Sequence, residues 1–169
     1  NSATLLASPD IADYGTDTHH NRYRNEPELD RCFLFAQDAE NVTICGSGVI
    51  DGNAAAFPNA GSIYRPMLLR VLRCRNVRVQ NLRLLNAAAW ATAFLDSDFI
   101  WATDLHIENH RNYNGDGLDL TAAAMSGCAG AISTAPTTTS ACNPAVCPCR
   151  MCIFLTAPLP RSADAHADE

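Results

Sequence analysis

The chain has 169 residues, 47% of them hydrophobic, and carries a formal net charge of −6 from 12 basic and 18 acidic side chains. That apolar content suffices for one domain with a sizeable core and excludes a wholly disordered protein. The acidic balance argues against a nucleic-acid partner, and no run of about eighteen apolar residues exists to cross a membrane.

Residues 1 to 31 are weakly periodic. The first residue is Asn1 and no charged segment leads into an apolar run, so the amino terminus reads as cut. One apolar run, Ala3-Thr4-Leu5-Leu6, precedes a polar stretch through His19, His20, Asn21, Arg22 and Tyr23 that reads as a loop. The adjacent histidines have no Cys or carboxylate at ligand spacing, so no metal site is expected there.

From Cys32 to Leu120 short runs alternate Val, Ile or Leu with polar residues, the period-two signature of strands with one buried face. Asn41-Val42-Thr43-Ile44, Asn76-Val77-Arg78-Val79 and Asp98-Phe99-Ile100-Trp101 share a polar-then-apolar strand start. The last two lie about 22 residues apart, a spacing expected of solenoids. A coiled all-β solenoid follows, because a single coil cannot bury its inward face until a neighbour stacks on it. Leu82, Leu84, Leu105 and Ile107 are the expected core positions of the next strand in each coil, and Gly46, Gly48 and Gly52 the expected corners.

After Leu120 the composition turns to Ala, Thr, Ser, Pro and Cys without sustained alternation, as in Ser133-Thr134-Ala135-Pro136-Thr137-Thr138-Thr139-Ser140. Nothing there is expected to continue the solenoid. The eight cysteines are uneven: Cys32, Cys45 and Cys74 are scattered, while Cys128, Cys142, Cys147, Cys149 and Cys152 crowd one end. Overlapping C-x-C and C-x-x-C spacings with no second pair do not make a zinc site.

Six segments recur in a consistent order. They are Glu40 to Ile44, Gly48-Val49-Ile50-Asp51-Gly52-Asn53, Arg65-Pro66-Met67-Leu68-Leu69, Cys74-Arg75-Asn76-Val77, Asn86-Ala87-Ala88-Ala89-Trp90 and Asn114-Gly115-Asp116-Gly117-Leu118-Asp119. Together they resemble glycoside hydrolase family 28, the polygalacturonases and their relatives, over roughly residues 3 to 120. The resemblance implies a right-handed, single-stranded parallel β-helix, here truncated at both ends, with 1–120 as the partial helix and 121–169 as a tail foreign to the family. It implies inverting hydrolysis of α-galacturonosyl linkages in pectic polysaccharide, by a secreted monomer that needs no cofactor and no metal.

The same resemblance assigns the family's Asn-x-Asp-Gly motif to Asn114, Asp116 and Gly117, with Asp116 helping to activate the attacking water. Asn114, Asp119, Arg111 and Tyr113 are the candidate substrate-binding residues, and Arg65 is a further groove candidate. The family's adjacent Asp-Asp pair, Gly-His-Gly and Arg-x-Lys are missing from this sequence. An inverting glycosidase needs an acid and a base across the sugar ring, so Asp116 by itself leaves the chain inactive. Asp119 is three residues on, and in a strand an odd separation turns side chains to opposite faces. Trp90 and Trp101 are candidate sugar platforms, but Trp90 reads rather as buried near a coil corner.

Read one nucleotide out of frame, the codons of Ala131 to Asn143 permit Asp-Ile-Asp-Ser-Thr-Asp-Asp-Asn-Ile-Cys-Leu-Gln, which contains an Asp-Asp pair. A base lost between the codons for Leu120 and Met125 accounts for both the missing motif and the change of composition. The competing reading is a non-catalytic β-solenoid that binds polysaccharide or serves as a scaffold. An eliminase on the same architecture needs calcium-binding acids beside a basic proton acceptor, and the sequence has no such cluster.

Overall fold

The computed structural model describes residues 3–15, 31–59, 64–121, 124–129, 132–135 and 153–156. Among the described residues fourteen strands follow one another: β1 (Thr4–Leu6), β2 (Cys32–Gln37), β3 (Thr43–Cys45), β4 (Val49–Asp51), β5 (Met67–Leu72), β6 (Arg75–Gln80), β7 (Arg83–Leu85), β8 (Thr92–Leu95), β9 (Asp98–Thr103), β10 (His106–Glu108), β11 (Leu118–Thr121), β12 (Ala124–Ala129), β13 (Ile132–Ala135) and β14 (Ile153–Thr156).

They form three sheets. Sheet A has the order β1-β4-β7-β10-β13-β14, sheet B the order β11-β8-β5-β2 and sheet C the order β12-β9-β6-β3. Every strand therefore pairs with the strand three places away in sequence, except at the β13–β14 end, and every pairing is parallel. A chain that visits sheets B, C and A in turn and then repeats is a parallel β-helix, the all-β solenoid expected from the alternation.

Register puts like residues above like. Ile50, Leu84 and Ile107 stack in sheet A, and Val71 and Phe94 stack in sheet B with Leu120 beyond them. All of these except the partly buried Leu120 belong to one buried cluster with Val77, Val79, Ile100, Leu82 and Leu105. The four expected core positions Leu82, Leu84, Leu105 and Ile107 are thus buried as the alternation required. Sheet B differs from the others in that β5 and β8 are buried along their whole length. Met67, Leu72, Ala89, Ala93 and Leu95 form a second apolar cluster, against which the half-buried Trp90 packs.

The corners explain the recurring asparagines. Asn41, Asn76 and Asn81 all have φ between 56° and 59°, in the left-handed region that Asn tolerates better than other residues bearing a Cβ. Side chains then form ladders between coils. Asn76 Nδ2 donates to Asn41 Oδ1 35 residues away, and Asn86 Nδ2 donates to Asp51 Oδ2 at 3.0 Å over the same separation. Arg73 and Asp38 make a two-pronged ion pair at 2.6 Å. Of the expected corner glycines, Gly52 has the clearest steric reason: a Cβ there would stand 2.7 Å from the Ala87 Cα and the Asn86 carbonyl oxygen.

One expectation changes. The sequence comparison set Asp98 level with Asn41 and Asn76, but Asp98 is the partner of Arg75, and Arg75 bridges to Glu40. Phe99 therefore takes the asparagine's place, with φ 55° and 43% of its surface exposed. A polar residue at each strand start misled the alignment by one position. A bulky aromatic in this conformation is strained by about 1 kcal/mol or more. Phe99→Asn is accordingly expected to raise unfolding stability by about 1 kcal/mol, read from urea titration; an unchanged or lower stability contradicts the strain.

Beyond residue 120 the described strands also pair in the sheets, with two register shifts in the β9–β12 ladder. β12 pairs with β9, and β13 with β10. Strand ladders are made by backbone groups, so a segment of small residues can join one without displaying alternation. The His19-His20 loop, the Cys147 to Cys152 cluster and most of the out-of-frame segment lie outside the described residues.

Candidate active site

The turn between β10 and β11 carries the Asn114 to Gly117 motif. It is held by buried polar side chains rather than by regular structure. Asn109, fully buried, donates from Nδ2 to the Ala89 carbonyl at 2.7 Å and to the Asp116 carbonyl at 3.2 Å. Asn112 Nδ2 donates to the Ala88 carbonyl at 3.1 Å. The turn is thereby tied to the equivalent turn of the preceding coil, which runs through Ala88 and Ala89.

Arg65 ties in the coil before that. The residue is only 1% exposed, and its guanidinium donates from Nη1 to the Ala88 carbonyl at 3.1 Å and to the Tyr113 carbonyl at 2.6 Å. Its Cζ also lies 4.1 Å from the centre of the Tyr113 ring. Burial pulls the Arg65 pKa down from its ordinary value, and contact with Tyr113 opposes that shift. Arg65, a groove candidate by its placement, is instead a buried clamp inside the wall. Asn59 completes the arrangement by accepting a hydrogen bond from the Tyr113 backbone N–H at 2.9 Å.

These ties converge on Asp116. Its carbonyl receives Asn109 Nδ2 and, at 2.8 Å, the Ala91 backbone N–H. The Gly117 carbonyl receives both the backbone N–H and the hydroxyl of Thr92, at 3.1 and 3.0 Å. Gly115 is packed so closely that a Cβ would stand 2.7 Å from the Asn109 carbonyl oxygen and 3.0 Å from that of Asn112. The main chain on both sides of the Asp116 side chain is therefore fixed. The residue is 7% exposed, and burial pushes its carboxyl from an ordinary 3.8 up to about 6. Such a group exchanges its proton near neutrality, the range useful in acid–base chemistry.

The other expected site residues divide. Tyr113 and Asn114 share the turn with Asp116; both are exposed, and Asn114 adopts φ 52°. Arg111 is on the same turn and exposed. Asp119 is on β11 instead, 5% exposed, in a row across sheet B with Ala93 and Arg70. Its neighbours Leu118 and Leu120 pack in the core, so Asp119 lies on the outer face of the sheet. Because β11 begins only at Leu118, Asp116 belongs to the turn, and strand alternation does not govern how the two carboxylates are related.

Asn109 and Asn112 were not singled out from the sequence. The available signal was two amide residues three apart, just after a strand and ahead of a Gly-flanked carboxylate. Among the described residues no three His, Cys, Asp or Glu side chains cluster as a metal site would require.

A model of the family described as glycosyl hydrolases family 28 matches residues 4–129. A search of curated proteins finds no match. Among solved structures, that of a candidate glycosyl hydrolase from Parabacteroides merdae superposes with a TM-score of 0.56 at 18% identity, over 90% of this chain. The chain spans 66% of that structure's length.

Proposed function

The chain belongs to glycosyl hydrolase family 28, and from that premise we propose that its β10–β11 turn is the water-activating part of a site for hydrolysing α-galacturonosyl linkages in pectic polysaccharide. The observation that carries this reading is Asp116: a carboxyl in the family's Asn-x-Asp-Gly setting, raised to about 6 by burial, on a main chain clamped by Asn109, Ala91 and Thr92. In an inverting mechanism a base takes a proton from the attacking water while an acid across the ring protonates the leaving oxygen. Asp116 serves as base in its ionised form, so the pH limb it governs rises through about 6. Asn114 and Tyr113, exposed beside it, are the polar and aromatic contacts for the sugar. Secretion, monomeric action and independence from any cofactor belong to the same proposal.

The chain as written has no Asp-Asp pair, so it is proposed to bind galacturonan without turning it over. The test measures reducing ends released from polygalacturonate by the chain as written and by a version with one base restored between the codons for Leu120 and Met125. No release is expected from the first. The second is expected to be active and to lose a factor of about 10³ on Asp116→Asn. Release by the chain as written removes the proposal of an incomplete site. An active restored protein whose Asp116→Asn variant is equally active removes Asp116 from the chemistry. No activity from the restored protein on any uronan favours the solenoid as a binding module.

A further inference from the structure

The outer face of sheet C pairs arginines with aromatic rings. Register aligns Thr43, Arg78, Trp101 and Gly127 in one row across the sheet. Phe99, the second residue of β9, lies beside them in the strained position that asparagine fills in the two preceding coils. Arg75 Cζ lies 4.6 Å from the Phe99 ring centre, and Arg78 Cζ 4.9 Å from that of Trp101. Glu40, Asn41, Arg75, Asn76, Phe99 and Trp101 line a shallow groove of about 360 Å³ there.

Three features ask for an explanation together. Phe99 is exposed and strained where Asn would be relaxed, and backbone strain of this kind persists where the side chain has work to do. Arg75 and Arg78 are exposed cations on a protein of net charge −6, and among the described residues neither makes an ion pair. Glu40 and Asp98 flank Arg75 in register and are exposed as well, which leaves Arg78, level with Thr43 and Trp101, as the cation with no carboxylate level with it in the sheet.

We infer that this face is a second polysaccharide-binding surface, distinct from the Asp116 turn, which takes a uronate-bearing chain. The rings of Phe99 and Trp101 receive the apolar C–H faces of the sugars, and Arg75 and Arg78 receive the carboxylates, a pairing that planar guanidinium groups make well. The row runs across the strands and therefore along the helix axis, the direction in which a long polymer meets successive coils. An acidic protein acting on an acidic polymer is repelled by it at long range, and Arg78, with no carboxylate level with it in the sheet, offsets that repulsion locally. The choice of uronate over neutral sugar rests in part on the reading of Asp116.

The experiment is titration calorimetry of the full chain in the Asp116→Asn background with polygalacturonate, and with neutral galactan for comparison. The double variant R75Q/R78Q and the single variant F99N are each expected to bind polygalacturonate about tenfold more weakly. F99N is expected to do so while gaining stability, so a damaged fold does not account for its loss. Galactan is expected to bind at least about tenfold more weakly than polygalacturonate, and added salt to erase most of the difference. Unchanged affinity in both variants overturns the inference, as does equal affinity for the two polymers. So does sedimentation showing that the unsubstituted chain dimerises and R75Q/R78Q does not, which assigns the face to a second copy. Turnover at Asp116 is scored separately by reducing ends, so failure of the hydrolase reading leaves the titration result standing.

Discussion

Phe94→Ala is expected to lower unfolding stability by about 3–5 kcal/mol. Phe94 is fully buried at the middle of β8, with Val71 of β5 level with it on one side and Leu120 of β11 on the other. Truncation removes the ring's transfer free energy and leaves a cavity between coils whose backbones are held at strand spacing and cannot close in. The loss reaches the site as well. β8 carries Thr92, whose N–H and hydroxyl hold the Gly117 carbonyl next to Asp116. The measurement is the urea midpoint at unchanged slope. A drop of less than about 1 kcal/mol means the coils repack freely and the core is less rigid than the stacking implies.

Much of this was legible in the sequence because the solenoid repeats its physics. Alternation exposed the inward faces, so Leu82, Leu84, Leu105 and Ile107 could be placed in the core without coordinates. Asn41 and Asn76 were legible as strand starts, whereas their left-handed corner conformation, φ 59° and 56°, shows only in the fold. Legibility failed where chemistry and conformation separate. Asp98 looks like another asparagine-type start, yet the left-handed corner falls on Phe99, and no propensity argument selects a phenylalanine for that position. Arg65 failed for a related reason. Its placement alone made it a groove candidate, whereas its partners are the backbone carbonyls of Ala88 and Tyr113, 23 and 48 residues away, and only the fold brings them together.

The site shows the same division. Asp116 stood out by its setting, but the residues that fix it, Asn109, Asn112 and Thr92, act on main-chain carbonyls and carry no motif. The end of the helix was the hardest to read. β12 and β13 join the sheets through backbone hydrogen bonds while their sequences lack the alternating pattern that identifies a half-buried strand.

Asp116→Asn is expected to change the pH dependence of stability. The carboxyl has an ordinary value of 3.8 and is raised to about 6 in the folded chain. Below 3.8 both states hold the proton and the residue costs nothing. Between 3.8 and about 6 the unfolded chain releases the proton while the folded chain keeps it, so stability falls as pH rises, by about 1.4 kcal/mol per unit. Above about 6 the fall is complete, and the buried charge costs up to about 3 kcal/mol. The asparagine variant has no proton to lose and escapes this fall. Its stability relative to the unsubstituted chain is therefore expected to improve by up to about 3 kcal/mol between pH 3.5 and pH 7, whatever constant offset the amide introduces. Parallel urea titrations across that range measure it, and a difference that stays flat means Asp116 titrates like an exposed carboxylate. In that event the clamp on its backbone has a structural rather than a chemical reason. If the difference follows the expected curve, the fold holds a carboxyl at the pH where it can pass a proton to and from water, at a cost in stability that packing alone does not explain.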